Sequence, residues 1–232
     1  MKIPQDIKLA VDAIVFGYEN NQLYVLLVKQ KFGTMKNVWV LPGGFVLNDE
    51  TLMDAAKREL REEAGIEVKY MEQLYTFGDD IHRDTRFRVV SVAYFALVDS
   101  TKLHLVTVND TDAEEARWFP VNDIPKLGYD HKAIFKMAHE RLKSKLTYQP
   151  IGFNLLLREF LFSDLENLYC TILEKDIDRR NFRKKILGFG FIDETTKIAP
   201  QKSGRPARLF KFNKAKYEGF VKDGFYFEIK FA

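Results

Sequence analysis

Residues 43–66 read GGFVLNDETLMDAAKRELREEAGI, and no other stretch constrains the chain as strongly. From Leu52 to Ala64 there is no Gly or Pro, and Met53, Ala56, Leu60 and Ala64 recur near the helical period, which predicts a helix with one buried face. Gly65 stands where the chain must leave that helix in a left-handed turn. Glu59, Glu62 and Glu63 fall at i, i+3 and i+4, so their carboxylates project together from the opposite face. Three such groups repel and raise one another's pKa unless a cation offsets them. Hard oxygen donors suit Mg²⁺ or Mn²⁺, which also bridge to phosphates and activate water. Glu50, on the preceding loop, can fold back to the cluster, and Arg58 can tie loop to helix by a bidentate pair. Three glutamates alone would equally make a solvated acidic face.

The flanking segments predict a mixed sheet with helices against it. IKLAVDAIVFGY and QLYVLLVKQK read as strands joined by the turn-forming ENN; VWVL, EVKYMEQLYTF, RVVSVAYFALV and EARWFP read as further strands. HKAIFKMAHERLKSKL predicts a second helix, with Asp130 as its cap. Pro150 then interrupts the pattern and the charge balance changes sign, which places a domain boundary between residues 1–147 and 148–232.

With its neighbours the stretch says more. Gly44, Glu50, Arg58, Glu59, Leu60, Glu62, Glu63, Gly65 and Ile66 occupy every fixed position of the Nudix box, which the segment therefore resembles. A chance match is expected on the order of once per 10⁹ starting positions, so the fold is the firmest implication. The resemblance implies a Nudix-type α/β/α sandwich, α/β (α+β) in class, with a mixed sheet. It also implies Glu59, Glu62 and Glu63 as metal ligands, Glu59 and Glu62 as catalytic groups if the domain turns over, and Gly44, Glu50, Arg58 and Gly65 as supports. KQKFGTMKNVWVLPGGFV and FGDDIHRDTRFRVVSVAYFALV are similar to the Nudix branch that handles ADP-ribose. Arg83, Arg86 and Arg88 in that second segment stand either for phosphate ligands or for an exposed basic strand edge. His82 alone carries little weight.

Residues 1–147 hold 20 basic and 22 acidic side chains, whereas residues 148–232 hold 16 and 11; within residues 175–216 the numbers are 13 and 4. That local excess is the footprint of a polyanion partner. The order is helix, helix, helix, hairpin: IGFNLLLREF; SDLENLYCTILEK, with Ser163 and Glu166 at capping-box spacing; IDRRNFRKKIL, with Asp176 as cap; then two strands around KSGRPAR. This is winged helix-turn-helix order. FVKDGFYFEIKFA predicts a terminal hairpin turned at Asp223 and Gly224. In the third helix Phe182, Ile186 and Phe189 point inward, leaving Arg180, Arg183 and Lys184 outward with Arg179 and Asn181 beside them, a face suited to the major groove. Lys202, Arg205 and Arg208 at the wing suit backbone or minor-groove contact. A basic solvated surface, or a protein-interaction winged helix, would present similar charge. FLFSDLENLYCTIL, DRRNFRKKI and GRPARLFKF look like the C-terminal domain of Nudix-related transcriptional regulators, and the resemblance then covers nearly the whole chain.

Two functions follow as expectations. The first is a homodimeric DNA-binding regulator, most simply a repressor, on a palindromic double-stranded operator. Its Nudix-fold domain would sense a small effector, either a sugar such as arabinose or an ADP-ribose-like nucleotide, and its DNA binding needs no cofactor. The second is an Mg²⁺-dependent pyrophosphohydrolase acting on ADP-ribose or a related nucleoside diphosphate derivative, since the box is intact. No signal peptide or membrane span is indicated, so a cytoplasmic location is the default and no membrane partner is expected. Cys170, without a second cysteine, gives neither a disulfide nor a zinc site.

Overall fold

A computed structural model of the chain describes residues 6–99, 113–199 and 206–229. It divides into two compact units, Met1–Gly17 with Tyr24–Arg141, and Tyr18–Leu23 with Leu142–Ala232. From the N-terminus run β1 (Ile7–Glu19), β2 (Gln22–Gln30), β3 (Trp39–Val40), β4 (Gly43–Phe45), α1 (Leu52–Ala64), β5 (Tyr70–Phe77), β6 (Arg88–Val98), β7 (Ala113–Pro120) and α2 (His131–Tyr148). The seven strands form one sheet in the order β3-β2-β1-β6-β5, with β4 also paired to β1 and β7 to β2. β1 and β6 are parallel, from Ile7 opposite Arg88 to Gly17 opposite Val98, while β4, β3, β7 and β5 pair antiparallel with their neighbours. Asn20 and Asn21, both at positive φ (50° and 59°), make the β1–β2 turn; asparagine tolerates that conformation.

Alternation along β1 decides what each face carries. Val11, Ala13 and Val15 pack with Ala55, Ala56, Leu60 and Ala64 of α1. Asp12 and Phe16 face the other way, where Phe16 meets Phe135 and His139 of α2 at ring distances of 6.3 and 6.1 Å. Helices therefore cover both faces of the mixed sheet, as the box implies. Leu60 is fully buried, and burying a leucine side chain stabilises by about 1.5–3 kcal/mol. Asp130, expected as the α2 cap, instead gives its carboxylate to Arg83, while its carbonyl accepts from Ala133 at 2.8 Å.

The second unit continues with a 3₁₀ turn (Ile151–Leu155), β8 (Phe160–Leu161), α3 (Phe162–Leu173), α4 (Arg179–Gly188), β9 (Ile192–Ala199), β10 (Ala207–Phe212) and α5 (Lys214–Lys222). β8, β10 and β9 form an antiparallel sheet in that order. Four local expectations are corrected. IGFNLLLREF makes a 3₁₀ turn and a short strand rather than one helix; Gly152 sits so close to Leu168 and Leu146 that a Cβ would lie within 2.9 Å of both. α3 begins earlier than Ser163, and the Asp164 carboxylate accepts from Leu161 N at 3.0 Å. α4 is capped by Asp178, which accepts from Asn181 N at 3.0 Å, and not by Asp176. The terminal hairpin is absent from the described residues: Asn213 caps α5 by accepting from Lys216 N, and the chain turns at Asp223 and Gly224 (φ +86°) into an extended run. Phe227 and Ile229 of that run are buried, with Phe227 against Phe189 and Phe191.

The corrected cap makes a clear prediction. Asp178→Ala should lower the stability of the second unit by about 1 kcal/mol, read as a shifted denaturant midpoint, whereas Asp176→Ala should leave it unchanged; equal effects would return the cap to Asp176.

Candidate functional site

The box helix is bounded by its own residues. Thr51, in extended conformation, accepts from Asp54 N at 3.2 Å, and Gly65 at φ +65° closes the helix with its N–H on Arg61 O (3.0 Å) and Ile66 N–H on Leu60 O (3.3 Å). With the apolar side against the sheet, Glu59, Glu62 and Glu63 line a cavity of about 700 Å³.

Arg58 organises this end. Its Nε and Nη2 donate to the two oxygens of Glu50 (2.9 and 2.8 Å), its Nη1 to Glu59 (2.8 Å) and Glu62 (3.1 Å), and its Nη2 also to Phe45 O (3.2 Å). Glu50 additionally accepts from Leu47 N at 2.8 Å, so the loop is folded onto the helix. These contacts push Arg58 further above its ordinary range, Glu50 first among them, and hold the Glu50 carboxyl down at about 2. Burial raises Glu59, against the pull of Arg58. Glu63 accepts from Gly43 N at 2.9 Å. The glycines are needed for closeness: a Cβ on Gly44 would lie 2.2 Å from Glu59 Oε1, and one on Gly43 2.2 Å from the Val11 carbonyl.

The cavity lining also carries a buried network. Arg83 donates from Nε and Nη2 to Asp130 (2.9 and 2.7 Å) and from Nη2 to Asp12 (3.3 Å). Ser91 Oγ donates to Asp12 at 2.6 Å, and His131 Nε2 lies 3.3 Å from it. His131 Nδ1 accepts from Leu41 N at 2.8 Å, which turns Nε2 toward Asp12. Burial works against the Asp12 carboxylate, yet His131, Arg83 and Ser91 together hold it well below the usual range. Arg86 is paired with Asp84 (3.1 and 2.8 Å) and lies over the rings of Tyr129 and Phe87 at 5.8 and 6.0 Å.

Of the three arginines read from the sequence, Arg83 and Arg86 line the cavity, while Arg88 donates to Gly78 O at 2.7 Å and is not among the lining residues. The sequence reading did not single out Asp12, Ser91, Tyr129 or His131. Asp12 had a signal, a carboxylate in the middle of the apolar run from Leu9 to Tyr18, which must be paired when buried.

In the second unit, the five α4 candidates separate by their partners. Arg179 reaches back to Glu166 (3.2 Å) and Asn167 (2.9 Å) of α3, and Asn181 Nδ2 to Asp178 (2.6 Å). The Arg183 guanidinium lies over Phe162 and Phe210 at 4.3 and 5.3 Å. Arg180 and Lys184 are exposed, with no side-chain hydrogen bond or ion pair among the described residues. Phe182 and Ile186 are buried beneath them. Arg208 pairs with Glu194 at 3.3 Å with both side chains more than half exposed, and Lys202 and Arg205 lie outside the described residues.

The Glu50–Arg58 tie sets a pH dependence. A carboxyl depressed on folding contributes stability that is present above its unfolded pKa and lost as pH falls through its folded value. Glu50→Gln should therefore flatten the wild-type loss of stability between the ordinary value of 4.5 and about 2; thermal melts across that window check it, and an unchanged slope would refute the tie.

Comparisons with known proteins identify both parts of the chain. Residues 6–139 match the NUDIX domain model and residues 152–212 the NrtR DNA-binding winged helix domain model. The chain is 32% identical over 216 residues, 90% of its own length and 84% of the relative's, to the ADPR responsive transcriptional repressor NtrR of Acinetobacter baylyi. It is similar to the crystal structure of Shewanella oneidensis NrtR complexed with a 27mer DNA, at 31% identity and a TM-score of 0.76 over 88% of this chain and 93% of that one. The NUDIX domain of the same Shewanella protein complexed with ADP ribose matches at 34% identity and a TM-score of 0.55, over 60% of this chain and 90% of that one. The chain belongs to the NrtR-type regulators of the Nudix family, in which a Nudix domain is joined to an NrtR DNA-binding winged-helix domain.

Proposed function

We propose that the chain is a DNA-binding transcriptional repressor whose Nudix domain responds to ADP-ribose or a close nucleotide. The observation that carries this reading is α4, an exposed face with Arg180 and Lys184 unengaged among the described residues over a buried Phe182 and Ile186, in a winged helix of NrtR type. Arg180 and Lys184 have no partner among the described residues to give up on meeting DNA, so they are the primary groove contacts. Arg183 and Arg179 hold the helix through ring stacking and α3, with Asn181 beside the same face and Arg208 on the wing strand β10. One winged helix reads few base pairs, so the working unit is a homodimer on a palindromic site. Among double-stranded DNA contacts, Arg180 suits guanine edges and Lys184 a phosphate.

For the effector, a cavity with arginines in its lining suits an anionic diphosphate. A neutral pentose such as arabinose would give Arg83 and Arg86 no charged partner, and the relatives described above name ADP-ribose. No helix among the described residues is long and apolar enough to cross a membrane, and a repressor of this kind works in the cytoplasm.

A second reading, pyrophosphohydrolysis, is favoured by the complete box. The carboxylates suit Mg²⁺ or Mn²⁺ in kind, and Glu59, Glu62 and Glu63 would hold the ion, which would neutralise diphosphate charge and activate water. Their arrangement is less ready: Glu59 and Glu62 are drawn to Arg58, and no three His, Cys, Asp or Glu side chains gather as a metal cage among the described residues. Regulation is therefore the first reading.

Arg180→Ala should cost about 1–3 kcal/mol of operator binding and relax specificity at its base, whereas Lys184→Ala should weaken all DNA binding and reduce the salt slope by about 1. Gel shifts on the DNA upstream of the gene, over a salt series, read both; normal operator affinity in Arg180→Ala would sink the groove assignment. Calorimetry should give binding of ADP-ribose and none of arabinose. For the second reading, turnover of ADP-ribose with Mg²⁺ no faster than in Glu62→Gln would remove hydrolysis.

A further inference from the structure

The Arg83 guanidinium is shared between the cavity and a helix. The side chain is 6% exposed and its Nε and Nη2 are engaged by Asp130 and Asp12. Nη1 has no hydrogen bond among the described residues, yet it is not an enclosed atom, and Arg83 lines the cavity. Arginine's five donors thus divide: one edge is fixed by the residue that opens α2, and the other is left for an anion.

α2 is continuous from His131 to Tyr148, and it passes Arg141, the last residue of the first compact unit, to supply Leu142–Tyr148 to the second. Its start is held at two neighbouring residues, His131 by Leu41 N and Asp12, and Asp130 by Arg83. Tyr129 is in the left-handed region at φ +50°, an uncommon conformation for a bulky residue, and the next residue, Asp130, carries both the Arg83 pair and the carbonyl that accepts from Ala133. Its far part is held as well. Lys143 pairs with Glu174 at 3.0 Å, immediately after α3, and Thr147 O accepts from Ile229 N at 2.8 Å. α3 in turn braces α4 through Glu166 to Arg179 and Tyr169 to Phe182.

We infer that the Arg83–Asp130 pair couples the cavity to the DNA-reading helix: an anionic ligand on Nη1 draws the guanidinium toward the cavity, weakens its hold on Asp130, and releases the first turn of α2. The change is carried along α2 to Lys143 and Glu174, and from α3 to α4. This rests on the proposed ADP-ribose reading for the ligand, but the route itself is a property of the chain's own residues. A ligand shifts an equilibrium only through a difference in its interaction with two states, and a shared guanidinium supplies that difference.

The test uses the full chain and Asp130→Asn, which keeps the size and removes the charge, and Asp130 is not a cavity-lining residue. Affinity for the operator fragment is measured with and without ADP-ribose, and ADP-ribose binding by calorimetry. In the wild type the ratio of the two DNA affinities should lie on the order of 5- to 150-fold. In Asp130→Asn it should fall toward unity while ADP-ribose still binds. A variant that binds ADP-ribose and keeps the wild-type ratio overturns the inference. If the wild type does not bind ADP-ribose, the ligand assignment fails, and amide hydrogen exchange on the ligand-free proteins decides the route alone. Asp130→Asn should then speed exchange both in residues 133–137 and in residues 143–148; acceleration confined to the first segment, or none, refutes the coupling.

Discussion

Everything at the box depends on putting one cation among three carboxylates, those of Glu50, Glu59 and Glu62. Glu59, Glu62 and Glu63 are forced together by the helical period, and Glu50 is brought to them by the loop. Without Arg58 the cluster would repel itself and the loop would have no anchor. Arginine serves where lysine would not, because its fork meets Glu50 with two atoms and still reaches Glu59, Glu62 and the Phe45 carbonyl. The glycines follow from the same requirement, since only a residue lacking a Cβ leaves room for the Glu59 carboxylate beside Gly44.

How much of this was legible depended on the distance over which the information is written. The bounds of α1 were readable because the apolar period from Met53 and the terminator Gly65 lie within 15 residues of one another and agree. The hairpin at Asn20 and Asn21 was readable for the same reason. The cap of α4 was missed because Asp176 and Asp178 are chemically identical; two residues of loop geometry choose between them. The C-terminal hairpin was misread because Phe-rich alternation resembles a strand, whereas Asn213 capping and Phe packing onto Phe189 and Phe191 favour a helix and a docked run. The Asp12 network was beyond local reading: Arg83 is 71 residues away and Ser91 79, so only the oddity of a carboxylate in an apolar run announced it.

Charge is handled differently in the two units, and this bears on function. In the first, the arginines lining the cavity are paired: Arg58 with glutamates, Arg83 with aspartates, Arg86 with Asp84. Such pairs fix geometry in a partly dry site and leave selected edges to meet a ligand. On α4, Arg179 is tied and Arg183 is laid on aromatic rings, so the helix is braced by some of its cations, while Arg180 and Lys184 are left in water. A helix meant simply for solubility needs no such division, because solvated charges gain little from being held.

The choice of partner for each arginine also separates scaffold from sensor. Arg88 ends on a backbone carbonyl, a neutral acceptor that fixes the strand edge and leaves no carboxylate to be competed away. Arg83 is held by two aspartates, which offset its charge in a buried place; a phosphate offers the same kind of acceptor and can share the guanidinium with them. Asp12 is itself secured by Ser91 and His131, so loosening Arg83 does not leave it unpartnered. Asp130 has no such reserve: among the described residues the hydrogen bonds of its carboxylate all come from Arg83. Of the two aspartates, the one that opens α2 is therefore the one that must move when the guanidinium does.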